Sequence, residues 1–348
     1  MNQEILRDTD QMKLYFHNND GKAGKGMDAR LHALYRPVQM NGMDPRTYYI
    51  ENSPSPVLTP YVACYWESGT REHMEDGRYG IDGMDMDIKV NDLQLKFPAS
   101  ARVLPDGCTD ILIDYSPEQE RYTYSYCGNY MQPFAFPLSL TAPPAGAYTF
   151  GVRFFPGGAP FVHGQSLDLF TDRRVPMEDC WPVRWDELRL KMEETANFAE
   201  RVQVMEHYLL QTTLRHSPTH HHADQDLLRN VLYRIFKEKG RLSVQDLALS
   251  EAVSERQLHR KVTEQVGISP KRFSEIVRFH QVLQGIHRGE FTDGAALAQA
   301  YGFYDQAHLI RQFRKFYGDT PLIAVQEHQR MLSEKYNHAA VPSVILES

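Results

Sequence analysis

Arg256, His259 and Arg260 stand within five positions of one another, and about fifty residues later Gln306, Ala307, His308 and Arg311 form a similar group. Guanidinium forks, imidazoles and a carboxamide are donors suited to base edges and phosphates, so the chemistry they offer is hydrogen bonding to nucleic acid. Each group lies on the polar side of an amphipathic pattern whose apolar side carries Leu258 and Val262 in the first case and Leu309 and Phe313 in the second. An exposed Arg or Gln on one such helix is usually a solvated face. Its repetition in tandem favours a recognition role.

The elements that would position these side chains read as two helix-turn-helix units. The first runs from Leu247 to Val262 and the second from Leu297 to Phe313. A steep crossing of two helices needs a small residue at the turn; Gly302 supplies it in the second unit and Ala252, less well suited, in the first. Ser254 and Asp305 precede the second helix of each unit and can accept from its free N–H groups as N-caps. A helix from about Lys271 to Ile286 follows Gly267-Ile268-Ser269-Pro270 and carries Phe273, Ile276, Val277, Leu283 and Ile286 as its apolar stripe. Two recognition helices held by one rigid connector can enter successive major grooves, roughly 34 Å apart.

These residues, together with Arg278, Ala298 and the run Gly302-Phe303-Tyr304-Asp305-Gln306-Ala307-His308-Leu309-Ile310-Arg311-Gln312-Phe313 continuing to Gly318-Asp319-Thr320-Pro321, resemble the DNA-binding domain of AraC/XylS-type transcription regulators over about 100 of 348 residues. The resemblance implies a seven-helix domain. Its groove-facing residues would be Arg256, His259 and Arg260 in the first unit, and Gln306, Ala307, His308 and Arg311 in the second. Val262 stands where the family usually has Phe, Ala252 where Gly is commoner, and Tyr304 where a small polar residue is frequent. The first unit is therefore expected to pack less tightly and read less stringently.

The chain is acidic, with a net charge of −7, although DNA binders are expected to be basic. The charge is unevenly placed: residues 224–330 hold 16 Lys and Arg against 13 Asp and Glu, net +3, and the remainder holds 22 against 32, net −10. That asymmetry, and a length suited to two cores, predicts a modestly basic DNA-binding part joined to an acidic sensor or partner domain. No apolar h-region opens the chain and no apolar run is long enough to span a bilayer, so a cytoplasmic protein is expected. Cys64, Cys108, Cys127 and Cys180 are widely spaced, without Cys-x-x-Cys, and are expected to be reduced thiols; no cofactor or metal is expected.

Residues 1–46 are polar and Met-rich and are read as an extension, partly disordered. From Tyr48 the texture is that of short strands: Tyr61 to Trp66, Ile88 to Phe97, Ile111 to Tyr115, Tyr122 to Cys127, Leu138 to Thr141 and Tyr148 to Phe155, separated by Gly, Pro and Asp. The fold class expected is α+β, with an antiparallel sandwich- or barrel-like β domain at 47–182 and an all-α domain at 224–330. Within the β domain Asp106 and Asp110 flank a turn, Arg153 lies on a strand ending in a Gly-rich corner, and Trp66 lies on another strand; together they could line a small-molecule site. Ordinary turn chemistry and a structural ion pair explain the same residues. Segments around Val103–Asp110 and Gly151–Gly158 also resemble a poorly characterised N-terminal domain found on some AraC-type regulators, which offers no ligand to carry over.

Phe198, Val202, Met205, Leu209 and Thr212 fall at steps of four and three along one helix in the 183–216 connector. That seam suits a core or a homodimer interface, and the resemblance favours the dimer. Thr219-His220-His221-His222 lies in a linker at 217–223, since three consecutive histidines cannot all face one metal ion. Residues 331–348 read as a tail. The expected partners are double-stranded DNA, a small-molecule effector, a second copy of the chain and, as a further candidate, RNA polymerase. The alternatives are an N-terminal domain that serves only assembly, or an enzyme with a β-barrel site. The enzyme is disfavoured because His73 and His163 stand alone and no phosphate-loop, His-Glu-x-x-His or Gly-x-Ser-x-Gly motif is present.

Overall fold

The computed structural model describes residues 31–37, 47–70, 72–73, 79–80, 100–137, 144–181, 185–216, 222–290 and 293–329. The strands expected at Ile88–Phe97 and Leu138–Thr141, the tail and most of the expected N-terminal extension lie outside them.

Among the described residues ten strands are formed: β1 Thr47–Asn52, β2 Val62–Thr70, β3 Glu72–His73, β4 Tyr79–Gly80, β5 Ser100–Val103, β6 Thr109–Ser116, β7 Arg121–Cys127, β8 Phe134–Pro137, β9 Tyr148–Phe154 and β10 Arg174–Pro176. Six of them make one antiparallel sheet in the order β1-β2-β9-β6-β7-β10, while β3 with β4 and β5 with β8 make separate pairs. Strand side chains alternate between faces, so register decides what meets what. On one face Tyr65, Phe150, Val152, Phe154, Ile111, Ile113 and Tyr126 are buried. On the other, Arg153 lies opposite Cys64 on β2 and Asp110 on β6.

The helices are α1 Pro160–His163, α2 Met177–Cys180, α3 Trp185–Glu193, α4 Phe198–His216, α5 His222–Lys237, α6 Val244–Ser250, α7 Glu255–Val266, α8 Pro270–His287, α9 Gly294–Ala300 and α10 Gln306–Tyr317, with a 3-10 turn at Leu167–Phe170 and further helix at 321–329. α4 corrects the expected dimer seam. Met205 and Leu209 are fully buried, Val202 is 6% exposed, and Phe198 packs against Phe150 with ring centroids 6.0 Å apart. The apolar side of the sheet requires a cover, and the four–three spacing that would suit a partner helix supplies that cover instead. A buried ion pair, Arg201 to Glu67 at 2.6 Å, anchors the same helix to β2. His222, placed in the expected linker, begins α5, and residues 217–221 lie outside the described residues.

The C-terminal domain gathers around α8, whose Phe273, Ile276, Val277, Phe279, Val282, Leu283 and Ile286 are buried. Ser269 caps it, accepting from the Arg272 N–H, and Pro270 occupies the first turn, where a missing N–H costs nothing. Leu31, Tyr35, Leu104 and Phe155 join this same core from the N-terminal side. Residues 31–34 are helical, and the Tyr35 ring stacks on Phe236 at 4.5 Å. This part of the expected extension is therefore packed, not disordered. Among the described residues no helix is long and apolar enough to cross a membrane.

Candidate nucleic-acid interface and the Arg153 cluster

Both helix-turn-helix units are built by the same local chemistry. α6 and α9 each end in a left-handed residue, Ala252 at φ 52° and Gly302 at φ 72°, followed by a backbone bond from Val253 N–H to the Ala248 carbonyl (3.1 Å) and from Phe303 N–H to the Ala298 carbonyl (2.9 Å). This is a Schellman-type ending, and it turns the chain sharply enough for a second helix. Ala252 pays a steric cost there that Gly302 does not. Ser254 then accepts from the Gln257 N–H in a full capping box, and Asp305 accepts from the His308 N–H at 2.6 Å. Both expected N-caps are therefore present.

The apolar sides point inward, with Leu258, Val262, Leu309 and Phe313 all buried. Arg256, His259, Arg260, Gln306, Ala307 and Arg311 are exposed, and Arg260 makes only a loose pair with Glu264 at 3.5 Å. His308 is half-buried. Its ring packs edge-on to Phe303 at 5.5 Å and its Nδ1 accepts from the Tyr304 N–H at 3.4 Å, which leaves Nε2 as the nitrogen free to reach outward. Tyr304 is 93% exposed at the start of the second recognition helix, although nothing in its helical spacing marked it.

The four residues expected at a ligand site also come together. Arg153 Nε lies 3.1 Å from Asp110 Oδ1 and its Nη1 3.6 Å from Asp106 Oδ2, while Trp66 Nε1 donates to Asp110 Oδ1 at 3.4 Å. Trp66 can lie flat over β9 because residue 151 is Gly: a Cβ there would sit 2.0 Å from the indole. Tyr49 stacks on its outer side at 5.9 Å. Burial raises the Asp110 carboxyl pKa and the Arg153 charge pulls it back; burial lowers Arg153, but Asp110 and Asp106 outweigh it and hold the guanidinium charged. Burial also pushes the neighbouring Cys64 thiol up to about 12, which makes it a poor thiolate for redox or metal chemistry.

Behind this cluster the two domains are bonded. Pro105 O lies 2.8 Å from His280 Nε2 on α8, the Tyr35 hydroxyl donates to Asp106 O at 2.6 Å, and Gly107, at φ 79°, presses so closely on Phe273 that a Cβ would be 2.4 Å from the ring. A second seam grips the end of the first recognition helix. Its last carbonyls, which no turn of helix can satisfy, accept from Thr171 (Gly267 O, 2.6 Å) and Asn129 (Val266 O), and the Ser166 hydroxyl lies 3.1 Å from Glu264 O. A cleft of about 370 Å³ beside it is lined by Asp168, Arg256, His259, Arg260, Thr263 and Glu264. Sequence reading missed Tyr35, Asn129, Ser166, Asp168 and Thr171. Each meets a partner about seventy or more positions away, or lies on a turn with no periodic pattern, so local spacing carried no signal for them.

Residues 247–323 match the family described as a helix-turn-helix domain, and residues 50–176 match a domain of unknown function, DUF6597. The C-terminal domain is an AraC-type helix-turn-helix domain. The helix-turn-helix domain makes the chain a DNA-binding transcription regulator. No curated protein matches it significantly. Similar solved structures include an apo variant of ToxT from Vibrio cholerae strain SCE256 (11% identity, 65% of this chain and 91% of that one, TM-score 0.33). ToxT from Vibrio cholerae O395 bound to (E)-4-(8-methylnaphthalen-1-yl)but-3-enoic acid matches at 12% identity, 65% and 89% coverage and TM-score 0.34. Wild-type ToxT of strain SCE256 bound to unsaturated fatty acid matches at 12%, 64% and 88%, and 0.32. The likeness is too loose to place any residue of the regulator.

Proposed function

We propose that the regulator reads its site with Arg256, His259 and Arg260 from the first unit and Gln306, Ala307, His308 and Arg311 from the second, and that a small molecule bound at Trp66, Asp106, Asp110 and Arg153 adjusts that reading. The observation that carries the coupling is the loop at 104–108. Its Asp106 side chain faces Arg153, and its backbone is bonded to His280 and Tyr35 in the core of the DNA-binding domain. A ligand that displaced the Arg153–Asp106 pair would act on the strut between the two recognition helices, which is the differential contact that a ligand-driven shift requires. The regulator acts in the cytoplasm, RNA polymerase is the further partner met at a promoter, and a homodimer would use a face other than the buried seam of α4.

Thermal melting of the full chain across a broad metabolite panel tests this reading. A compound that raises the melting temperature of the wild type but not of Arg153→Gln, and that changes DNA affinity, supports it. Unchanged melting across the panel favours an N-terminal domain that serves only assembly.

A further inference from the structure

The 3-10 turn Leu167–Phe170 belongs to the N-terminal domain, yet it lies along the first recognition helix. Its position is held from both sides. Ser166 lies within donating distance of the Glu264 carbonyl, Thr171 donates to the Gly267 carbonyl, and Asn129 donates to the Val266 carbonyl. Leu167 and Phe170 are buried in the core of the N-terminal domain. Two exposed side chains are left between these anchors, Leu169 and Asp168, and Asp168 is the charged one. The Ser166 hydroxyl, 2.5 Å from Oδ1, fixes its carboxylate, which shares the cleft with Arg256, His259 and Arg260. Among the described residues the second recognition helix differs: Arg311 is exposed, and the acid nearest the helix start, Asp305, is taken up by the N-cap.

We propose that Asp168 is an affinity-setting residue that the N-terminal domain contributes to the DNA interface. Its carboxylate stands where a backbone phosphate would approach Arg256, His259 and Arg260, and it restrains the first unit so that the second carries more of the discrimination. Phosphate contacts position a protein on the duplex and dominate its affinity, and each one made releases a counterion. An acid fixed beside the contacting cations repels the incoming phosphate and partly neutralises those cations beforehand, so fewer counterions are released. The same acid leaves base-edge donors on the second helix untouched, since it is the phosphate that bears the charge. The inference rests on the DNA-reading assignment made above.

The test uses the full chain on a duplex selected from random sequence. Asp168→Asn keeps an oxygen for Ser166 and removes the charge. It is expected to raise affinity about threefold to tenfold at moderate salt and to steepen the slope of log K against log salt by about 0.9, one further phosphate. Glu178→Gln makes the same change in net charge at an exposed site outside the cleft and is expected to do neither. If the two variants behave alike, or if Asp168→Asn weakens binding because the carboxylate accepts from a base, the proposal is overturned. Arg311→Ala separates the two layers. If wild type and Arg311→Ala are equally indifferent to the duplex, the DNA-reading assignment fails. If Arg311→Ala loses binding while Asp168→Asn matches Glu178→Gln, only the role of Asp168 fails.

Discussion

His280 Nε2 lies 2.8 Å from the carbonyl of Pro105, so the helix that separates the two DNA-reading units is bonded to the loop whose next residue faces Arg153. His280 is fully buried and its pKa is lowered, with burial the largest cause. A neutral, fixed imidazole at this junction makes the loop and the strut a single packed unit.

Arg153 is the cation on which that junction depends. Its side chain is 20% exposed, against 9% for Asp106 and 16% for Asp110. Arg153→Met leaves both carboxylates without it and should cost about 3–5 kcal/mol in urea unfolding. In the variant Asp110 has a native pKa above its unfolded value, so folding takes up a proton and the loss should shrink as pH falls from 7 toward 5. A loss below about 1 kcal/mol at pH 7 would show that the pair is merely superficial.

Met205 sits in the core under the sheet, not at a subunit boundary. Met205→Glu should therefore destabilise the fold by several kcal/mol, about 3 or more, because an unpaired charge would be buried. Circular dichroism melting reads this. A stable, folded monomer from that variant would restore the dimer seam.

Ala252 holds a left-handed backbone that Gly302 adopts freely in the matching turn. Ala252→Gly relieves about 1–2 kcal/mol of steric cost and loses about 0.5–1 kcal/mol through the freer unfolded chain, so a small net gain in stability is expected. A drop in the melting temperature would contradict the assignment of strain to this turn.

His287 stacks on His328 at 4.1 Å, and burial, then the second imidazole, lowers its pKa to about 4. A histidine with a depressed native pKa is protonated more readily in the unfolded chain. Stability should therefore be complete above pH 6.5 and fall as the pH drops toward 4. His287→Phe should flatten that part of the pH profile; an unaltered profile would place the acid sensitivity elsewhere.

Much of the DNA-reading half was legible in sequence because its devices are local. Ser254 and Asp305 cap within three residues, Gly302 and Ala252 set the turns, and the apolar stripe of α8 repeats with the helical period. The strands around Ile111, Tyr124 and Val152 were legible for the same reason. The role of α4 was not, since Met205 and Leu209 show the same spacing whether they meet a sheet or another chain. Nor were Tyr35, Asn129 and Ser166, whose contacts with distant carbonyls leave no pattern along the chain. The Arg153 cluster lay between these cases: Asp106, Asp110, Arg153 and Trp66 were identified by type and turn context, and only the register of β2, β9 and β6 shows why they meet.

The most direct test of the tandem reading is selection of bound duplexes from random sequence by the full chain, followed by titration of the winning site with wild type, Arg260→Ala and Arg311→Ala. The account predicts two conserved elements about one helical turn, roughly 10 base pairs, apart, and a loss of about 1–3 kcal/mol for each variant. A single element, or titrations of both variants that overlay the wild type, would contradict it.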